Sequence, residues 1–532
     1  MLTTLLRSPR PHHSVLLTAM CAAALQGPGA LAQKTEDLKL LASDGVAEDY
    51  FGYSVAIDGS TALVGSSYDD DNGNASGSVY VYDVTTGQEL FKLTASDASA
   101  GQRFGYSVAL SGSTALIGAI GDGTDPGDAY LFDVTSGQEL FKLTASDAED
   151  QDLFGISVAI SGNRAVVGSY LDDDLGSASG AAYVFDVTTG QELLKLTASD
   201  GSENDLFGLS VAMSGNTALI GSPFSDGVGA DSGSAYLFNI STGQELLKLT
   251  ASDAEASDLF GHNVTITSAG AVVGAFREGV AGSAYLFDNT GQETFKLTPS
   301  DGAIGDEFGC SVALYQNVVV IGAFGDDDNG SNTGSAYVFN ASTGAEVVKL
   351  TASDPDAEDW FGVDVAINET AIVVGAPTDF AGVGASYVYL LDSTDCVTRY
   401  CDASQNPNNA SVVSISSCDS SADSILVGLS GAPANQFVYL LVGDGAGTVS
   451  QPPGAKGDLC IVGGSCLGRY DRDVGQISGA GNFATDIKNA VSTPCAGAVN
   501  ITPGATWNFQ YWHRQPMGQP ATFSDAISVT FQ

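Results

Sequence analysis

The sequence predicts an all-β protein. A seven-bladed β-propeller of four-stranded blades, closed by the N-terminal strand, is followed by a small disulfide-containing β-sandwich. Three observations carry the propeller. The pair Phe-Gly recurs seven times, at Phe51-Gly52, Phe104-Gly105, Phe154-Gly155, Phe207-Gly208, Phe260-Gly261, Phe308-Gly309 and Phe361-Gly362, at intervals of 48 to 53 residues. A period of that length means one supersecondary unit stacked on copies of itself. Each unit holds short runs of β-branched, aromatic and aliphatic residues parted by Gly-containing turns, and no window shows an apolar stripe of helical period and length. The seventh unit lacks its fourth run, and the matching segment stands at the other end of the array.

The third unit shows the order of elements. After Phe154-Gly155 come Ser157–Ile160, a Ser161-Gly162 turn and Ala165–Gly168. An acidic, Gly/Ser-rich loop spans 171–180 and leads to Ala182–Phe185; the turn at 188–191 then enters Leu193–Leu196. Four antiparallel strands in ~50 residues, repeated radially, make a propeller blade. The seventh unit has runs at 365–367, 371–374 and 387–390 and no fourth. Residues 37–44 read like 194–200 and are expected to complete that blade, which closes the ring and leaves only short, protected edges.

These residues resemble bacterial FG-GAP repeats, which are related to the propeller of integrin alpha subunits. The Phe-Gly pairs match, Gly375-Ala376-Pro377 matches in full, and Gly221-Ser222-Pro223 and Gly322-Ala323-Phe324 match loosely, over residues 37 to 392. The resemblance implies an extracellular binding propeller. Integrin-type blades often carry an Asp-x-Asp-x-Asp-Gly calcium loop between the two motifs. Here that stretch is a tight turn such as Asp58-Gly59 or Ser214-Gly215, so calcium binding at that location does not carry over.

Residues 1–32 read as a secretory signal peptide: Arg7 and Arg10, an apolar run from Val15 to Leu25, then Ala30-Leu31-Ala32. The run is too short for a membrane span, and none of ~20 residues follows. The expected domains are therefore 1–32, the propeller over 33–395, and a β-sandwich over 396–532. The second domain holds Cys396, Cys401, Cys418, Cys460, Cys466 and Cys495, an even set that in an exported chain reads as disulfides of undetermined pairing. Through Cys466-Leu467-Gly468-Arg469-Tyr470, Trp507-Asn508-Phe509-Gln510 and Phe523-Ser524-Asp525 it resembles C-terminal modules of secreted bacterial proteins, which carry no known chemistry.

The formal net charge is −44, which makes nucleic acid and anionic lipid poor partners and favours cations. Candidate Ca²⁺ ligands lie in the acidic loops between second and third strands: Asp69 and Asp71, Asp172 and Asp174, Asp326 and Asp328. Clustered carboxylates on one turn suit a hard cation. The EF-hand register fails, because Tyr68 and Gly325 stand at its first ligand position, and Asp as a turn former explains the same residues. Two further sets of acids recur. Asp44, Asp97, Asp147, Asp200, Asp253, Asp301 and Asp354 follow a Ser, and Asp49, Asp152, Asp205, Asp258, Asp306 and Asp359 precede Phe by two residues. A group present in every blade is expected to hydrogen-bond backbone amides between blades.

Catalytic signals are thin. Beyond residue 32 the histidines are His262 and His513, in different domains, which disfavours a Ser-His-Asp triad. His262 and Cys310 share a slot filled elsewhere by Tyr53, Tyr106, Ile156 and Leu209, and both read as packing residues. The expectation is an exported, non-catalytic binding or adhesion protein that presents a propeller surface to an extracellular protein or glycan, with Ca²⁺ as its candidate cofactor. The alternative is a secreted propeller enzyme acting on carbohydrate as hydrolase or lyase. An active site requires one or two blades to break symmetry, and the fifth unit departs most, at His262, Thr265, Arg277 and Glu278.

Overall fold

The computed structural model describes residues 33–391 and, beyond them, strand segments between 397 and 530. The chain divides between Leu390 and Leu391 into two compact units. The first is a closed ring of seven sheets; in blades one to five the four strands are antiparallel and in sequence order, and blades six and seven each add a strand from the N-terminal segment. In the third blade these are Val158–Ser161, Arg164–Ser169, Ala181–Asp186 and Gln191–Leu196. The first strand of each blade is innermost, and the seven inner strands touch one another in a closed circuit.

The ring closes as the strand count requires. Leu38–Leu40 pairs antiparallel with Ala385–Leu390, setting Leu38 opposite Val388 and Leu40 opposite Ser386. Just before it, Gln33–Lys34 pairs parallel with Ala345–Leu350. That fifth strand on blade six was not legible in the repeat pattern. The segment leading to the closing strand passes along the outer edge of the sixth sheet and covers part of it.

Phe-Gly proves to be an interblade staple more than a strand start. Every Phe of the set is fully buried and packs edge-on against two aromatic rings of its own third strand, at 5.3–6.3 Å. The following glycine reaches the preceding blade. At Gly52, with φ +97°, a β-carbon would lie 2.3 Å from the carbonyl oxygen of Ala385, so only glycine fits. The hydrophobic cores accordingly lie between blades. One joins Leu116 and Leu131 of blade two to Phe154, Tyr183 and Phe185 of blade three, and another joins Leu40 and Val388 of blade seven to Phe51, Val55 and Tyr80 of blade one.

A β-bulge interrupts the third-to-fourth strand pairing in blades one to six. In five of them the extra residue is Leu90, Leu140, Leu193, Leu246 or Val347, each exposed. Bulges twist an outer edge away from pairing with other chains.

In the second unit, Phe437–Gly443 pairs with Leu467–Gln476 and with Thr506–His513. A smaller sheet contains Val412–Ile415, Leu426–Ser430 and Phe483–Asp486. The six clustered cysteines and the expected signal peptide lie outside the described residues. Cys310 is buried and free, its Sγ 3.5 Å from the carbonyl of Gly362, in keeping with a packing role. Among the described residues no helix is long and apolar enough to cross a membrane.

Candidate functional site

In every blade the inner strand starts, and the second strand ends, at the same face of the ring. The long acidic loops, the Phe-Gly staples and the Ser-Asp pairs therefore share one face, here called the loop face. The hairpin turns between first and second strands, and between third and fourth, lie on the other.

The predicted calcium loops converge on a lysine. In blade three the Lys195 Nζ lies 2.8 Å from Asp147, 2.7 Å from Asp172 and 2.5 Å from Asp174. Lys92 joins Asp44, Asp69 and Asp71 at 2.6–2.8 Å, and Lys349 joins Asp301, Asp326 and Asp328 at 2.7–2.9 Å. An ammonium has three donors, and here three carboxylates take them. The third-strand Tyr adds its hydroxyl: the Tyr183 oxygen lies 2.9 Å from Asp147 and 2.7 Å from Asp172, its one proton shared between the two carboxylates. The Asp147, Asp172 and Asp174 oxygens lie within 4.8 Å of one another, a donor set that suits a cation. The lysine ammonium already stands among them.

The other blades vary the theme. Lys142 pairs with Asp97 and Asp128, Lys39 with Asp354 and Asp379, and Lys296 with Asp253 and Glu278. Lys248 pairs with Asp200, since Ser225 stands where the other loops carry an acid. Burial alone would push Lys349 down, but its bonds to Asp326, Asp328 and Asp301 outweigh it and hold the ammonium above its ordinary value. Burial acts upward on Asp301, and the bonds from Lys349 and Tyr337 outweigh it to hold that carboxyl low. The Ser-Asp acids thus bind lysine and tyrosine side chains rather than the expected backbone amides. The preceding Ser bonds instead to a Glu in or just before the outer strand, as Ser146 does to Glu192 and Ser353 to Glu36.

The second set of recurrent acids does cap backbone amides. Asp49 accepts from the Val46 N–H at 2.7 Å, Asp152 from Glu149 at 2.8 Å and Asp306 from Ala303 at 2.7 Å. Around the ring, side chains just before the inner strands bridge neighbouring blades. Asn263 accepts from the Val312 N–H at 3.1 Å, and Asp364 from the Val55 N–H at 2.8 Å, joining blade seven to blade one. Desolvation pushes the Asp364 carboxyl up to about 7, against the two backbone amides that favour its charge.

The blades part company in the slots that flank Phe-Gly and follow the second strand. Tyr50 meets Tyr68 edge-on at 5.1 Å, and the Arg103 guanidinium lies 5.1 Å over the same Tyr68 ring. Tyr53 and Tyr106 pack at 5.0 Å with their hydroxyls 3.0 Å apart. Across blades five to seven, His262 packs on Phe276 at 4.3 Å, Arg277 lies 5.3 Å over Phe276, and Phe324 meets Trp360 at 6.0 Å. These rings are half-buried. Burial pushes His262 down to about 4, so it is neutral, and its Nδ1 has no partner among the described residues. The sequence had marked the fifth blade, and Glu278 there joins the lysine cluster while Thr265 pairs within the sheet opposite Val272. It had not marked Tyr50, Tyr68, Arg103 or Trp360. The signal was available as the spread of residue types before Phe-Gly: Tyr50, Arg103, Leu153, Leu206, Leu259, Glu307 and Trp360.

Fold and clusters together define a closed seven-bladed propeller of quasi-identical repeats, with one variable face. Residues 35–82, 88–132, 138–185, 191–238, 244–287, 292–339 and 345–389 match the FG-GAP repeat, and the chain belongs to that repeat family. The first matched segment includes the closing strand Leu38–Leu40 together with three strands of blade one. No curated protein matches the chain significantly.

Proposed function

We propose that this chain is an exported, non-catalytic binding or adhesion protein that presents the loop face of its propeller to an extracellular protein or glycan. One observation carries the reading: the repeats keep their core and lysine clusters nearly constant, while the half-buried slots around the inner strands differ in chemistry from blade to blade. Uniform positions maintain the ring, and an asymmetric ligand needs an asymmetric surface. The half-buried aromatic rings supply large, rigid contact area at low entropic cost. Support for export comes from the signal-like residues 1–32 and the extracellular habit of FG-GAP repeats. The test is a glycan and extracellular-protein array probed with the full chain, with product detection on every positive. Binding without turnover is the expected result, and released product would replace this reading with a hydrolase or lyase.

A further inference from the structure

We propose that the ligand of the loop face is a carboxylate-bearing glycan, held at two separate points by Arg103 of blade two and Arg277 of blade five; this rests on the binding reading above and names its ligand class. Cations are scarce here. Residues 33–391 contain eight lysines and three arginines. All eight lysines and Arg164 have a carboxylate at ion-pair distance. Among the described residues, Arg103 and Arg277 do not.

Both stand on the loop face, in slots where the blades differ, and each lies over an aromatic ring. The Arg103 Nε is buried with no hydrogen-bond partner among the described residues, and Arg277 is exposed. Acids are near without pairing. Burial pushes Glu307 up while Arg277 pulls it the other way, and Asp122 is held low by Thr124, with Arg103 a minor contributor. A net charge of −44 repels a dense polyanion, so two guanidinium groups without a carboxylate suit isolated carboxylates on an otherwise neutral glycan.

A guanidinium offers a planar fork of donors that matches a carboxylate in two parallel bonds. The ring beneath it keeps the fork in plane and presents a flat apolar face beside it. Beside each arginine stands a second half-buried ring, Tyr50 edge-on to Tyr68 and His262 tilted 53° to Phe276. A uronate sugar has both matching halves, an apolar ring face and a carboxylate. An acidic peptide offers the carboxylate without the apolar sugar ring.

The test is biosensor binding of the full chain, in EDTA, to a galacturonan whose few free carboxylates are spaced among methyl esters (the acid form) and to the same polymer fully methyl-esterified. Two variants accompany it, Arg103→Leu and Arg277→Leu. Leucine is what sister blades place in those slots, at Leu153 and Leu171, so folding is expected to be retained and is checked by melting. The expected result is binding to the acid form, at least about tenfold weaker binding to the ester, and about tenfold weakening by each substitution. Equal binding to acid and ester, or unaltered affinity in both variants, overturns the proposal. Arginine-dependent binding of polyglutamate in the same assay, with none of the glycan, overturns it as well. Binding of a neutral glycan that ignores the arginines but is lost with Tyr53→Ile and Tyr106→Ile sinks this inference and leaves the binding reading standing. Absence of any ligand for the folded chain defeats both.

Discussion

The Lys349 Nζ lies 2.7 Å from the Asp326 Oδ2, and the two side chains are only 5% and 3% exposed. With Asp301 and Asp328 they tie the outer strand of blade six to its acidic loop and to the connection that enters the blade. Removing the ammonium leaves Asp326 buried without its counter-charge, which is far costlier than losing a surface pair. Lys349→Met is expected to destabilise by about 3 kcal/mol. Lys248→Met, whose partner Asp200 is half exposed, is expected to cost less than about 1 kcal/mol. Urea denaturation of the two variants checks the contrast; equal losses would refute it.

Calcium follows from the same geometry. The carboxylates of blades one, three and six form a donor set of the kind Ca²⁺ takes, and a lysine stands in each. A ligand that binds the native state raises its melting temperature. The melting temperature of the native chain is expected to be indifferent to EDTA and to millimolar Ca²⁺. The Lys195→Met variant is expected to melt lower and to recover partly with Ca²⁺. A calcium-dependent rise in the unsubstituted chain would show that the lysines do not fill the cation's place.

Acidity acts through two groups of aspartates with opposite signs. Asp44, Asp97, Asp147, Asp200, Asp253, Asp301 and Asp354 are all held low, because lysine and tyrosine bonds outweigh burial. Their contribution is full above the unfolded value and is lost as pH falls through the folded one. Asp49, Asp152, Asp205, Asp258, Asp306 and Asp359 are pushed up by burial, Asp359 to about 6. Their contribution is full at low pH and fades as pH rises through the folded values. Stability is therefore expected to peak at about pH 4, near the ordinary carboxylate value from which the two groups diverge, and to fall on either side of it, which melting temperature against pH checks.

Asp364 isolates the second effect at the ring closure. Blade five uses Asn263 in the same slot and makes the same bond to the next blade, so Asp364→Asn keeps the contact and removes the charge. With the carboxyl pushed up to about 7, the variant should match the parent below about pH 4. It should gain in melting temperature between there and pH 7, then hold that gain. A variant less stable than the parent at pH 8 would contradict the assignment.

Two glycines separate architecture from turn geometry. A β-carbon at Gly52 would collide with the Ala385 carbonyl, whereas at Gly59, with φ +57°, nothing lies within 4 Å. Gly52→Ala is expected to cost more than about 3 kcal/mol by prising blade one from blade seven. Gly59→Ala should cost about 1 kcal/mol, the left-handed backbone penalty alone. Thermal melts of both variants measure the difference.

Much of the fold was legible because the repeat writes it seven times. Phe-Gly, the turn glycines and the displaced strand at 37–44 each answer to a local rule of backbone geometry or strand pairing. The strand at Gln33–Lys34 was not legible, because two residues carry no periodicity. The acidic loops were legible as cation ligands; the lysine that meets them was not, because it stands between an apolar residue and a leucine of the fourth strand, 21 residues from Asp71, Asp174 or Asp328, and reaches the loop only through strand pairing. The loop face escaped for the opposite reason. Its residues are conspicuous by differing, and a search tuned to repetition passes over Arg103, Tyr68 and Trp360.

The central claim is that constant positions build the ring and the variable loop face binds. The direct measurement replaces Tyr53, Tyr106 and Trp360 together by the aliphatic residues of sister blades, as Tyr53→Ile, Tyr106→Ile and Trp360→Leu. A companion variant replaces the exposed Gln88, Gln138, Gln191 and Gln244 of the opposite face by Ala. With melting temperatures unchanged, ligand identified on the array should be lost from the first variant and kept by the second. Retention by the first, or loss from the second, would contradict the claim.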